Sequence, residues 1–218
     1  MTPTTSPDAM TALPVPDAYL PLLKRLGLDS SVRCDPDWSA APDFLGLIAN
    51  HVLAAKPANI VECSSGLTTL VLARCCEMNG IGQVFSLENG TEYADNTRTE
   101  IVRYGLEARA TIIDAPLRAQ TLNGTEFLWY ELGDLPERRI DMLVIDGPPG
   151  FIQRHSRYPA LPRLFDRFAE DGVVFMDDAA RPDEREIVAM WLASHPAMQH
   201  VYVDTERGCS ILRMPRHG

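Results

Sequence analysis

Five short apolar runs are strung along this chain, and each ends on an acidic residue. Ile60-Val61 leads to Glu62, and the run 84–87 leads to Glu88. The run 110–113 leads to Asp114, 142–145 to Asp146, and 173–176 to Asp177 and Asp178. Helical patterns fill the gaps at 68–78, 91–104 and 161–169, and Pro182-Asp183-Glu184 opens another with good first-turn chemistry. Met142-Leu143-Val144-Ile145 is apolar without a break, which predicts burial on both faces of a parallel sheet. Strand–helix alternation of this kind predicts an α/β architecture, a doubly wound sheet with helices on both faces. The last two runs, 200–204 and 209–214, flank a tight turn and must be antiparallel. The expected sheet is mostly parallel and seven-stranded, with an antiparallel last strand. The long connection 120–139 holds Phe127-Leu128-Trp129-Tyr130 and suits an added hairpin.

At 218 residues with 45% hydrophobic and 23% charged, the chain can bury one ordinary core. Residues 1–18 lack periodicity and read as a flexible tail. Residues 19–57 hold two short amphipathic helices joined by a loop carrying Trp38, and read as a helical extension or lid. The cofactor domain is expected over 58–218. The net charge of −10 argues against a partner of nucleic acid, which wants a basic face. No apolar run approaches the roughly 18 residues of a membrane span, and no signal peptide is visible, so a cytoplasmic protein is expected. Cys34, Cys63, Cys75, Cys76 and Cys209 form no CxxC pair and read as reduced thiols.

Open α/β sheets bind ligands at the carboxyl ends of their strands. One acid at such an end serves equally well as a turn former or helix cap; five together point to a site. Gly66 is the only glycine between Glu62 and Thr69, too few for a pyrophosphate-binding turn, and no GK[ST] signature is present. A ligand without phosphates needs only one close backbone approach. Glu88 is placed to accept both hydroxyls of a ribose, and Asp114 an adenine amino group. An acidic rim also suits a ligand carrying an ammonium and a sulfonium.

The stretch Val61-Glu62-Cys63-Ser64-Ser65-Gly66-Leu67-Thr68-Thr69 resembles the first motif of class I S-adenosylmethionine (SAM)-dependent methyltransferases. Ser64 stands where many members have glycine. The resemblance implies a Rossmann-like fold and a cofactor site of Glu62, Ser64, Ser65, Gly66, Thr68, Glu88, Asp114, Ala115 and Asp146. Residues 146–150, 157–162 and 177–181 resemble an uncharacterised branch of small-molecule methyltransferases.

On the acceptor side, Asp146 is expected to face the methionine ammonium or the acceptor. His155 is either a general base or a solvated loop residue. Trp38, Tyr130 and Tyr158 are candidate walls, against ordinary packing, and Arg157 suits an acidic acceptor. Asp177 and Asp178 complete the candidate substrate set. Asp146, Asp177 and Asp178 together form an all-oxygen set of the kind that holds Mg²⁺. They resemble the metal site of catechol-type methyltransferases, with Asp178 in place of an asparagine. The alternative is that Asp177 or Asp178 caps the helix at Pro182 and pairs with Arg181.

Gly147-Pro148-Pro149-Gly150 lacks the polar and aromatic residues that the [DN]PP[YF] motif uses on a flipped base. The expected activity is methyl transfer from SAM to a small molecule, at oxygen rather than nitrogen. The alternatives are a different SAM chemistry that releases methylthioadenosine, and a non-catalytic SAM-binding module. A homodimer is left open.

Overall fold

The computed structural model describes residues 15–35 and 37–215. Residues 1–14, most of the expected tail, lie outside the described residues. Its last part does not behave as a tail: Val15 is buried and Asp17–Tyr19 form a 3-10 turn. Helices α1 (Leu20–Arg25) and α2 (Pro42–Ala55) follow. Pro42 occupies the first turn of α2 with Asp43 beside it, and Lys56 ends the helix in a left-handed conformation.

The alternation then runs β1 (Asn59–Cys63), α3 (Leu67–Asn79), β2 (Gln83–Glu88), α4 (Thr91–Arg103), β3 (Ala110–Asp114). A hairpin of β4 (Leu117–Leu122) and β5 (Thr125–Tyr130) precedes β6 (Ile140–Ile145). Next come α5 (Ala160–Leu164), β7 (Phe168–Met176), α6 (Pro182–Ser194), β8 (Gln199–Val203) and β9 (Cys209–Arg213).

The main sheet has seven strands in the order β3-β2-β1-β6-β7-β9-β8. Only β9 runs against the rest, pairing antiparallel with both β7 and β8. The chain's last strand therefore sits inside the sheet, and β8 forms the edge. Helix α5 ends at Leu164 rather than near 169, because Phe168 already pairs with Ile140 as the start of β7.

The period of two sorts each central strand between two cores. Ile60, Met142, Val144, Val173 and Phe175 join α2 and α3 on one face. Val61, Leu143, Ile145, Val174 and Met176 join Trp129, Leu161 and Trp191 on the other. Helices α1 and α2 share the first of these cores, so the N-terminal helices are built onto the sheet. All five cysteines are free and buried. Among the described residues no helix is long and apolar enough to cross a membrane.

The order reverses between the parallel neighbours β1 and β6, whose onward connections run to opposite sides, toward β2 and toward β7. That switch point opens a crevice beyond their carboxyl ends, walled by the β1–α3 turn and the loop after β6.

Candidate active site

The β1–α3 turn forms the floor. The backbone N–H of Ser64 donates to the Leu87 carbonyl at 2.9 Å, tying the turn to β2. Ser64 has φ +95°, a conformation that glycine adopts freely and serine does not. Gly66 has φ +150° and opens α3, where its N–H donates to Thr69 Oγ1 at 3.1 Å. Gly147, across the turn, is required by space: a Cβ there would lie 2.6 Å from the Tyr130 hydroxyl and 3.0 Å from Ser64 Cβ.

Glu62 is buried beneath the turn. Its carboxylate accepts hydrogen bonds from the Thr69 and Ser86 hydroxyls. Burial pushes its pKa up to about 8, although both hydroxyls pull the other way. Thr69 and Ser86 had no sequence signal except their place opposite an acid.

At the end of β2, Glu88 is also buried. Ser65 Oγ donates to Glu88 Oε2 and the Gly90 N–H to Oε1, each at 2.9 Å. Ser65 Oγ is also 3.1 Å from Thr97 Oγ1. Burial raises the Glu88 pKa, and these donors oppose the rise.

Two joined cavities share Trp38, Ser64, Ser65, Tyr93 and Asp146 as walls. One, of about 250 Å³, runs along Glu62, Gly66 and Thr68. The other, of about 860 Å³, runs past Glu88, Tyr130, Phe151, Arg157, Asp178 and Arg181. Trp38 thus enters the cleft from the segment between α1 and α2. Its ring lies 6.2 Å from both the Tyr93 and Phe151 rings, and all three are exposed at the mouth.

Neither Asp114, the last residue of β3, nor Ala115 lines the two cavities. Asp114 is an exposed carboxylate 2.8 Å from Arg98 Nη2, and Ala115 is buried with its N–H on the Glu88 carbonyl at 2.7 Å. Ala115 positions the Glu88 backbone instead.

Three acceptor-side candidates, His155, Tyr158 and Asp177, lie outside the walls of the two cavities. His155 Nε2 lies 2.7 Å from Glu186 Oε2, the His155 backbone N–H donates to Asp183 Oδ2, and the residue lines neither cavity. Tyr158 is packed under the β4–β5 hairpin, its ring 5.3 Å from Phe127 and its carbonyl accepting from Trp191 Nε1. Asp177 is fully buried behind the cleft wall, where burial pushes its pKa up to about 6. Asp178, one residue on, does line the cleft.

The expected metal set does not form either. Among the described residues, only His155, Asp183 and Glu186 bring three ligand atoms within 4.8 Å of one another. Asp146, Asp177 and Asp178 do not. Their space is taken by Arg157, whose side chain is 3% exposed. Its Nη2 donates to Asp178 Oδ2 at 2.7 Å and to the Asp146 carbonyl at 3.0 Å. Its Nη1 donates to the Asp177 carbonyl at 3.0 Å, and its Nε lies 3.9 Å from Glu184 Oε1. Arg181 adds a second cation, 2.8 Å from Asp178 Oδ2. Burial raises the Asp146 pKa well above the ordinary range, with Arg157 holding it back.

A methyltransferase-domain family model matches residues 61–179. No curated relative matches the chain in sequence. Similar solved structures include the Podospora anserina methyltransferase PaMTH1 bound to S-adenosylhomocysteine (SAH). It is 14% identical with a TM-score of 0.65, over 93% of this chain and 90% of that one. A Bacillus cereus O-methyltransferase in complex with SAH is 16% identical, with a TM-score of 0.63, over 94% and 93% of the two chains. TomG, a Streptomyces achromogenes O-methyltransferase involved in tomaymycin synthesis, in complex with SAM, is 13% identical with a TM-score of 0.60, over 95% and 93%. The family match spans more than half of the sequence, and the sheet order and the crevice at its switch point agree with it: the chain belongs to the methyltransferase-domain family and has the fold of class I SAM-dependent methyltransferases.

Proposed function

We propose that this enzyme binds SAM across the β1–α3 turn and transfers its methyl group to an oxygen of a small acceptor. The observation that carries the reading is Glu88. A buried carboxylate is held at the cleft wall by the Ser65 hydroxyl and the backbone N–H groups of Ser65, Asn89 and Gly90, all neutral donors of the kind a diol also offers. No cation pairs with it among the described residues, so a ribose has no ion pair to displace. Ser64, Ser65, Gly66 and Thr68 lie beside it and offer a neutral surface for the rest of the nucleoside.

Bound SAM supplies an electrophilic methyl group. The chain's task is then to align the acceptor, keep water out and take one proton. Asp146 lies where the two cavities meet, within reach of both halves of such a ligand pair. A carboxylate with a raised pKa is a stronger base once ionised, so Asp146 is the proposed proton acceptor for a hydroxyl. Trp38, Tyr93 and Phe151 form an aromatic rim, which supports a flat apolar acceptor body. Structural relatives named as O-methyltransferases support oxygen as the acceptor atom.

Incubation with SAM and a panel of aromatic hydroxyl compounds tests the reading. Methyl transfer leaves SAH. Release of methylthioadenosine would favour the other SAM chemistry, and binding without either product would favour a non-catalytic module.

A further inference from the structure

The acids after β6 and β7 are the ones a divalent cation would use in a catechol-type site, and in this chain they enclose a guanidinium. Arg157 comes from the loop after β6 and turns back to bridge the ends of both strands. It meets the Asp146 carbonyl on one side and the Asp177 carbonyl and Asp178 carboxylate on the other. A divalent ion held by Asp146 and Asp178 needs oxygen ligands at about 2.0–2.6 Å in a shell of six or more. Arg157 Nη2 already stands 2.7 Å from Asp178 Oδ2 and 3.5 Å from Asp146 Oδ1. The two cations cannot share those oxygens.

We infer that Arg157 is the resident cation of this site, standing where a divalent metal would bind, and that the site takes no metal. The exchange alters what the acceptor meets. A metal ion offers open coordination positions to an acceptor oxygen. A guanidinium offers only N–H donors in a fixed plane, and here three of the five are engaged by the protein. Arg157 is thus a positioning residue: it fixes Asp146 and Asp178 and balances their charge. The inference rests on the SAM reading only for calling this the acceptor side. The charge argument is independent of it.

Mn²⁺ binding to the full chain, read by electron paramagnetic resonance and calorimetry, tests this without using activity. The wild type should show no micromolar binding, and its melting temperature should not respond to Mn²⁺ or EDTA. Arg157→Ala removes the guanidinium that bridges Asp146 and Asp178, leaving only the half-exposed Arg181 on Asp178, and should bind Mn²⁺ at least about tenfold more tightly, which is about 1.4 kcal/mol. Its melting temperature should rise with Mn²⁺. Arg157→Lys should behave as the wild type. A folded Arg157→Ala that binds no better than the wild type overturns the inference. Should that variant fail to fold, the wild type decides: micromolar Mn²⁺ binding that Asp178→Asn abolishes also overturns it.

Discussion

The two ends of the cleft bury carboxylates in opposite ways. At the β2 end, Glu88 meets only neutral donors, the Ser65 hydroxyl and the backbone N–H groups of Ser65, Asn89 and Gly90. At the β6–β7 end, Asp146, Asp178 and Glu184 surround Arg157, with Arg181 at the rim. Both ends lose hydration, and burial is the largest influence on the raised pKa values of Glu88, Asp146 and Glu184. The compensation differs. A carboxylate satisfied by neutral donors keeps its charge available to a ligand. One satisfied by a buried guanidinium has been turned toward the protein. On the proposed reading the first end recognises the cofactor, and the second holds two strand ends in register around Asp146, the proposed proton acceptor.

The largest expected effect breaks the second end. Arg157→Met keeps the volume and removes the charge, leaving Asp178 and Asp146 without their buried partner. Loss of one member of such a pair should cost about 3–5 kcal/mol of stability, read from urea unfolding. A loss no larger than that of a surface substitution would mean that Arg157 holds nothing in place. Next in size, Glu88→Ala should weaken SAM binding by about 1.5–3 kcal/mol in calorimetry. Unchanged affinity would remove Glu88 from the site and erase the contrast between the ends.

That contrast was only half legible in the sequence. The strand ends were, because an apolar run and its terminal acid are local features, and their positions put Glu62, Glu88, Asp146 and Asp178 on one rim. Which acids face the cleft was a matter of turn conformation and packing. Asp177 and Asp178 are adjacent in the turn after β7, where Asp178 takes a left-handed conformation with φ +58°, and only Asp178 lines the cleft. Asp114 was read as facing adenine, but Arg98 on α4 reaches it first. His155 and Tyr158 lie in a loop whose side-chain directions are set by contacts with α6 and the β4–β5 hairpin, invisible to local pattern. The position of β9 between β7 and β8 was hidden too, since a hairpin fixes the relative direction of its strands but not which of them enters the sheet. A signal for Arg157 did exist: several acids converging on one sheet edge require a buried cation, and it stands between Asp146 and Asp177 in the chain.

Glu62 sharpens the comparison on the recognition side, because it too is a buried acid held by hydroxyls alone. Its pKa is near the ordinary 4.5 in the unfolded chain and about 8 when folded. Between those values the folded state binds more protons than the unfolded state, so this group makes stability fall as pH rises. Its contribution is fully present below pH 4.5 and lost by about pH 8. Glu62→Gln keeps a carbonyl oxygen for the Thr69 and Ser86 hydroxyls and cannot ionise. It should flatten the decline by up to about 1.4 kcal/mol per pH unit, leaving the slopes from the other carboxyls that burial raises, Glu88, Asp146, Asp177 and Glu184. An unchanged slope in urea melts from pH 5 to 8 would mean that Glu62 is ionised throughout.

The smallest effect concerns the hinge between the two ends. Ser64 lines both cavities and holds φ +95°, where a side chain is strained. Glycine relieves that strain but makes the unfolded chain more flexible. The net gain for Ser64→Gly should be about 0.5–1 kcal/mol, seen as a modest rise in melting temperature. The informative reading is SAM affinity measured alongside. If serine is present only because the turn tolerates it, affinity stays constant while stability rises. If affinity falls, the Ser64 hydroxyl contributes to recognition, and the neutral-donor character of the Glu88 end extends through the turn to the point where Asp146 begins the charged one.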